Sequence, residues 1–308
     1  MNVERLRILR ELADRGTVAA VADALSMTPS AVSQQLKLLA REAGVTLLEP
    51  AGRRLRLTDA GRALVLRTDD VLAALARASA EMDRYRASPR GRVRVALFPS
   101  GAALLLPGVL TRLANSEVDI DARDEDLPAS SVPELLADYD VVLTHRDERS
   151  PSTAGSRIEV TTLMREPIDL VLSSDHALAH HESIDLRDLV DEQWISVRGG
   201  FPVDDVLLSV AAATGVEPRV VQRVNDFRVT EVLVAAGHGV ALMPRYAVVH
   251  PDLIRIPLSG VRAGRIYELA TRPDARRLPA ISTVLDAFAA EVNATTGKSD
   301  LPQRSRLS

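Results

Sequence analysis

The sequence predicts an α/β protein in two unequal parts, a small helical head and a larger body in which strands and helices alternate. Residues 1–90 hold 15 Lys and Arg against 11 Asp and Glu, while residues 91–308 hold 23 against 31, so a head of +4 is joined to a body of −8. Apolar residues recur at helical spacing through the first 43 positions and again from Thr58 to Arg86, and from Arg92 short β-branched runs alternate with helical ones. A chain of 308 residues also exceeds a single core of about 100–150 residues, which favours two domains and a connector.

In the head, Val3, Leu6, Leu9, Leu12 and Ala13 mark a first helix that Gly16 stops. Thr17 offers an N-cap hydroxyl to a second helix, Val18 to Leu25. Ser26-Met27 then makes a tight break before Thr28-Pro29, an N-cap followed by proline at the first helical position. The third helix turns Val32, Leu36, Leu39 and Ala43 inward and ends at Gly44. Glu49-Pro50-Ala51-Gly52-Arg53-Arg54, followed by alternating Leu55-Arg56-Leu57, predicts a small hairpin, a wing. From Thr58 to about Arg86, Leu64, Thr68, Val71, Leu75, Ala78, Met82 and Tyr85 repeat at alternating steps of 4 and 3, the seam of a short coiled coil. Ala87-Ser88-Pro89-Arg90-Gly91 reads as a linker.

The body begins with a strand from Val93 to Phe98, a helix near Ala102 to Ala114, a strand from Val118 to Ala122, a helix from Val132 to Ala137 and a strand from Val141 to Thr144. Such alternation argues for a parallel sheet. A second lobe follows, with strands at Ile168 to Leu172, Leu186 to Val190, Trp194 to Val197, Val220-Val221 and Val240 to Met243, and helices through Asp204 to Ala213 and Val229 to Ala236. The last pieces, Ile254 to Ile256, Ile266 to Ala270 and a helix Ile281 to Val292, are expected to return to the first lobe. The polar residues 294–308 read as a disordered tail. The expected division is therefore 1–58 for the head, 59–88 for the connecting helix, 89–293 for the two-lobed body and 294–308 for the tail.

Composition excludes several chemistries. With no cysteine there is no disulfide, thiolate metal site or Cys nucleophile. The hydrophobic share of 46% and charged share of 26% suit a globular protein, and no apolar run approaches the roughly 20 residues that span a bilayer. The start Met1-Asn2-Val3-Glu4-Arg5 lacks the pattern of a signal peptide, so the expected compartment is the cytoplasm.

The third helix carries the clearest chemistry. Opposite its apolar stripe stand Ser30, Ser33, Gln34, Lys37 and Arg41, with no acid from Ser30 to Arg41. Small hydroxyls permit close approach to phosphates and base edges, Gln can pair two-pronged with adenine, and Lys can reach guanine or phosphate, so this face suits the major groove. An ordinary solvated face would mix Glu with Lys.

The chain here resembles the LysR-type transcriptional regulators, through Gly16-Thr17-Val18, Ala22-Asp23-Ala24-Leu25, Thr28-Pro29-Ser30-Ala31-Val32-Ser33-Gln34-Gln35-Leu36 and Leu57-Thr58-Asp59-Ala60-Gly61. Family-like turns recur at Leu104-Leu105-Leu106-Pro107, Asp175-His176-Ala177-Leu178 and Gly237-His238-Gly239-Val240-Ala241-Leu242-Met243-Pro244. The resemblance implies a winged helix-turn-helix, a long linker helix that dimerises, and a two-lobed α/β effector domain like type 2 periplasmic binding proteins. It implies a non-enzymatic regulator without cofactor or metal that binds promoter or operator DNA, self-associates to a dimer or tetramer, answers to a small-molecule effector, and meets RNA polymerase if it activates. The DNA-binding set is then Thr17, Thr28, Pro29, Ser30, Ser33, Gln34 and Lys37 with the wing residues Arg53, Arg54 and Arg56. The family's usual Phe-Glu-Arg before the wing is Leu48-Glu49-Pro50 here, which displaces the basic residues to those wing positions.

For the effector the candidates are Ser100, Thr144, Arg198, Phe201 and Asp226, and a carboxylate or an amino acid is the expected ligand. Ser100 opens a helix and either caps it or meets an anion. Arg198-Gly199-Gly200-Phe201 offers a cation and an aromatic wall, or a surface turn; Asp226 caps a helix or binds an amine. Enzymatic readings have less support. Phe98-Pro99-Ser100-Gly101 lacks the Gly-x-Ser-x-Gly elbow of a serine nucleophile, and His176, His180 and His181 offer a helical metal spacing in a segment that reads as a loop. An α/β enzyme with a DNA-binding appendage would need a nucleophile and an oriented base, and a solute-binding protein would need a signal peptide.

Overall fold

Residues 1–51, 54–84, 90–155, 157–273 and 275–299 are described by a computed structural model. In the head, α1 (Val3–Arg15), α2 (Val18–Ala24) and α3 (Pro29–Ala43) fall where the apolar spacing predicts them. Thr17 and Thr28 cap α2 and α3 by accepting from Ala20 N and Ala31 N, both at 3.2 Å, and Gly16 and Gly44 end α1 and α3 at φ of 73° and 69°. Leu6, Leu9, Leu12, Val21, Val32, Leu36 and Leu39 close one core, each stabilising it by about 1.5–3 kcal/mol. The wing is β1 (Leu48–Ala51) paired with β2 (Arg54–Leu57). It is pinned to the next helix, α4 (Asp59–Arg84), by Thr58, whose N–H donates to Leu47 O (3.0 Å) and whose hydroxyl donates to Thr46 O (2.8 Å) and accepts from Gly61 N (3.0 Å). A Cβ at Gly61 would stand 2.2 Å from the Leu47 carbonyl, so only glycine permits this approach.

In the body, β3 (Arg90–Leu97), α5 (Pro99–Leu113), β4 (Glu117–Asp124), α6 (Val132–Asp138) and β5 (Val141–Asp147) are followed by a long strand, β6 (Glu159–Ser173). Then come β7 (Gln193–Ser196), α7 (Pro202–Thr214), β8 (Arg219–Arg223), α8 (Phe227–Ala235), β9 (Val240–Pro244), β10 (Leu253–Ile256), β11 (Gly264–Thr271) and α9 (Pro279–Ser299). The body's strands run in the order β4-β3-β5-β11-β6-β9-β7-β8, with β10 added to β6. β6 belongs to both lobes: Glu159 to Pro167 pair with β11 and Ile168 to Val171 with β9. Two apolar cores flank this crossing, one built on Val95, Leu105, Leu143, Leu269 and Phe288, the other on Leu170, Trp194, Val206 and Leu242.

Several expectations are corrected. The sheet is mixed rather than parallel, because β11 runs antiparallel to both β5 and β6, and β6 to β9. Leu186 to Leu189 form a 3-10 turn, not a strand, with Leu186 and Leu189 tucked inward and Asp185 capping it. β10 stays in the second lobe on β6, while β11 and α9 return to the first. The tail predicted over 294–308 is helical as far as Ser299, since α9 continues past its packed face; residues 300–308 lie outside the described residues.

Candidate functional site

On α3, Thr28, Pro29, Ser30, Gln34, Lys37 and Arg41 are exposed and Ser33 is half-buried, so the face opposite the core is open to a partner along its length. Thr28 Oγ1 also meets Ser30 Oγ at 3.0 Å, which orients both hydroxyls at the helix start. Between α2 and α3, Ser26 adopts a φ of 52°, an unusual value for a residue with a side chain, and Met27 N donates to Ala22 O (2.8 Å). This turn sets the angle between α2 and α3. On the wing, Arg56 sits opposite Glu49 in register, and its guanidinium donates to that carboxylate at 2.6 and 3.0 Å. Arg54 begins β2, and Arg53 lies outside the described residues.

The second site is a cavity of about 490 Å³ between the lobes, lined from one side by Phe98, Ser100, Asp124, His145 and Arg265 and from the other by Phe201, Asn225, Asp226 and Arg228. Its floor is a product of strand register. His145 on β5 faces Tyr267 on β11, and Arg265, two residues earlier, faces Glu166 on β6 beside the interlobe crossing. Side chains opposed in register share a face, so the four groups converge. Arg265 Nη2 lies 2.7 Å from Glu166 Oε2 and 3.0 Å from Ser100 Oγ; Tyr267 Oη donates to the same Glu166 oxygen at 2.7 Å. Burial works against the Arg265 charge, yet Glu166 and Tyr267 outweigh it, so the guanidinium pKa is raised and the group stays charged. His145 is the reverse case. Burial, seconded by the Arg265 charge, holds its pKa well below the usual histidine value, and the ring packs on Phe98 with centroids 4.2 Å apart.

Of the predicted effector residues, the structure brings Ser100, Phe201 and Asp226 to this cavity. Thr144 lies on the opposite face of β5, in register with Glu268, because pleating turns neighbouring residues to opposite sides. Arg198 reaches across the mouth instead: its Nη2 lies 2.6 Å from Asp126 Oδ2, a carboxylate that also accepts from Asn225 Nδ2 at 2.8 Å, so one acid of the first lobe holds two residues of the second. Asp226 caps α8 through Arg228 N (2.8 Å). Sequence reasoning missed His145, Arg265, Asp124 and Asp126; His145 is visible there only as a histidine next to an expected strand, and Arg265 has no local signal. His176 points toward Glu192 (3.4 Å), and among the described residues no group of three His, Cys, Asp or Glu side chains could hold a metal ion. No described helix is long and apolar enough to cross a membrane.

Comparison with known proteins agrees with this layout. Residues 3–62 match the profile described as "Bacterial regulatory helix-turn-helix protein, lysR family", and residues 86–293 match the "LysR substrate binding domain". The chain is 28% identical over 261 residues to the transcriptional dual regulator GltC of Bacillus subtilis, covering 84% of this chain and 86% of the relative. It is 26% identical over 283 residues to the DNA-binding transcriptional dual regulator OxyR of Escherichia coli, covering 90% and 87%. A full-length OxyR variant from Pseudomonas aeruginosa superposes with a TM-score of 0.66 at 19% identity, over 94% of this chain and 98% of that one. Full-length CbnR complexed with its target DNA gives 0.53 at 23% identity, over 95% and 100%.

Proposed function

The chain belongs to the LysR family of transcriptional regulators, and on that premise we propose that it binds promoter or operator DNA as a dimer and is controlled by a small molecule held between the two lobes of its body. The observation that carries the reading is the acid-free, open face of α3 from Ser30 to Arg41, presented by a capped helix in a helix-turn-helix. Thr17, Thr28 and Pro29 fix the helices; Ser30, Ser33, Gln34 and Lys37 meet base edges and nearby phosphates; Arg53, Arg54 and Arg56 follow the backbone from the wing. The α4 stripe pairs two chains, and contact between bodies would extend the dimer to a tetramer. The effector is a small organic molecule in the cleft bounded by Ser100, Phe201 and Asp226, and it acts by favouring one arrangement of the lobes over another. The protein works in the cytoplasm, where promoter DNA lies, catalyses no reaction, and meets RNA polymerase if it activates.

Salt-dependent binding to promoter fragments, followed by fluorescence anisotropy, tests the reading. Gln34→Ala is expected to cost about 1–3 kcal/mol on the preferred sequence and to relax that preference, whereas Arg54→Ala weakens all sequences and lowers the salt slope by about one unit. Equal effects of the two variants on preference and on slope would contradict the assignment of α3 to bases and the wing to phosphates.

A further inference from the structure

The charges around the interlobe cavity are unevenly committed. Each arginine there already has a carboxylate of the protein: Arg265 has Glu166 at 2.7 Å, Arg228 has Glu231 at 3.1 Å, and Arg198 at the mouth has Asp126 at 2.6 Å. The other basic side chain, His145, is held neutral by burial. The acids are less occupied. Asp226 spends one oxygen on the α8 N-terminus, and Asp124, exposed at the end of β4, has no ion pair among the described residues. His145 is only 8% exposed and lines the cavity, and its Nδ1 has no hydrogen-bond partner among them. A neutral imidazole offers one acceptor and one donor, so it accommodates a ligand N–H without demanding an anion.

Against these acceptors stands the start of α5, which has neither a side-chain cap nor an acid in its first turn. That terminus carries roughly half a positive charge and can hold an acceptor oxygen. Two carboxylates without counter-ions outweigh it.

We propose that the ligand of this cleft carries an amino group and no net negative charge, an amine or a zwitterionic amino acid with an aromatic or large apolar body. Its N–H groups face Asp226 and Asp124, any oxygen it carries meets the start of α5, and its body lies against Phe201 and Phe98, which wall the cavity. A plain carboxylate finds no free cation among the described residues that line the cleft. The proposal rests on the reading of the cleft as the effector site and narrows its chemistry.

Three probes of one skeleton test it on the full chain by thermal shift: 2-phenylethylamine, phenylalanine and 3-phenylpropanoate, of charge about +1, 0 and −1 at neutral pH. The amine and the amino acid are expected to raise the melting temperature at millimolar concentration, and the acid is not. Asp226→Asn retains the α8 cap, since Asn and Asp cap equally well, and should weaken the amine about tenfold. Phe201→Ala should abolish both shifts. An equal or larger shift with 3-phenylpropanoate overturns the proposal, and if Phe201→Ala removes that shift the cleft reading survives alone. Shifts untouched by either substitution overturn both readings, and silence from all three probes overturns the proposal.

Discussion

His145 illustrates how a single residue can link burial to pH. Packed between Phe98 and Phe201 at centroid distances of 4.2 and 6.3 Å, it is desolvated and lies near the Arg265 charge, and both effects depress its folded pKa. The unfolded chain therefore takes up a proton as pH falls through about 6.5, while the folded protein does not. Stability from this group is complete above that pH and is lost below it, at up to about 1.4 kcal/mol per pH unit. His145→Phe keeps a ring in the slot and removes the titration. Denaturant midpoints from pH 7.5 down to 5 should fall less steeply for the variant than for the parent chain; parallel slopes would show that the histidine takes up its proton as readily in the folded chain as in the unfolded one.

The connecting element changes character along its length. The 3.5-residue stripe on α4 reads in the sequence as one seam, and the structure divides it. Leu64 and Thr68 turn into the head, where Thr68 is fully buried and its hydroxyl donates to Leu64 O at 2.8 Å, because α1 packs on that half of α4. Further on, Val71, Leu75 and Met82 stand 39%, 44% and 54% exposed. Tyr85, the last position of the stripe, lies outside the described residues. Only the second half is thus free to meet another chain. Val71→Asp together with Leu75→Asp would bring like charges together in a paired seam, and light scattering should report the mass of a single chain with operator affinity lost. Unchanged mass would move the dimer contact to another surface.

At the scale of the molecule, ion pairs join head, connector and body. Asp14 of α1 lies 2.7 Å from Arg272 and 3.0 Å from Arg157, which in turn donates to Asp69 of α4 at 2.7 Å; Arg15 reaches Asp138 of α6, also at 2.7 Å. The Asp14 side chain is 5% exposed, so its removal takes the carboxylate from Arg272 and leaves Arg157 with Asp69 alone in a nearly closed interface. Loss of one partner from a fully buried pair costs about 3–5 kcal/mol, and the partial exposure of Arg157 and Arg272 reduces that to about 1–3 kcal/mol. In calorimetry, Asp14→Ala is expected to separate unfolding of the head from that of the body. The effect should depend only weakly on salt, since buried pairs are little screened. A single transition at the parent's temperature would mean that Asp14 contributes nothing to the joint between head and body.

What the sequence determined by itself was everything governed by near neighbours. Caps at Thr17 and Thr28, stops at Gly16 and Gly44, the open polar face of α3 and the strand-helix rhythm of the body all depend on residues within about four positions of each other, where spacing translates directly into geometry. The tertiary structure alone decided the rest. Whether Thr144 or His145 faces the cleft turns on the pleat of β5 against β11, and a slip of one residue exchanges them. Arg265 reaches Glu166 across 99 positions of chain because an antiparallel pairing sets them opposite each other, and Arg198 finds Asp126 only when two lobes meet. No local pattern encodes such pairings: they arise where separate segments bury their apolar faces together, and the charges that come with them settle among themselves which remain free for a ligand.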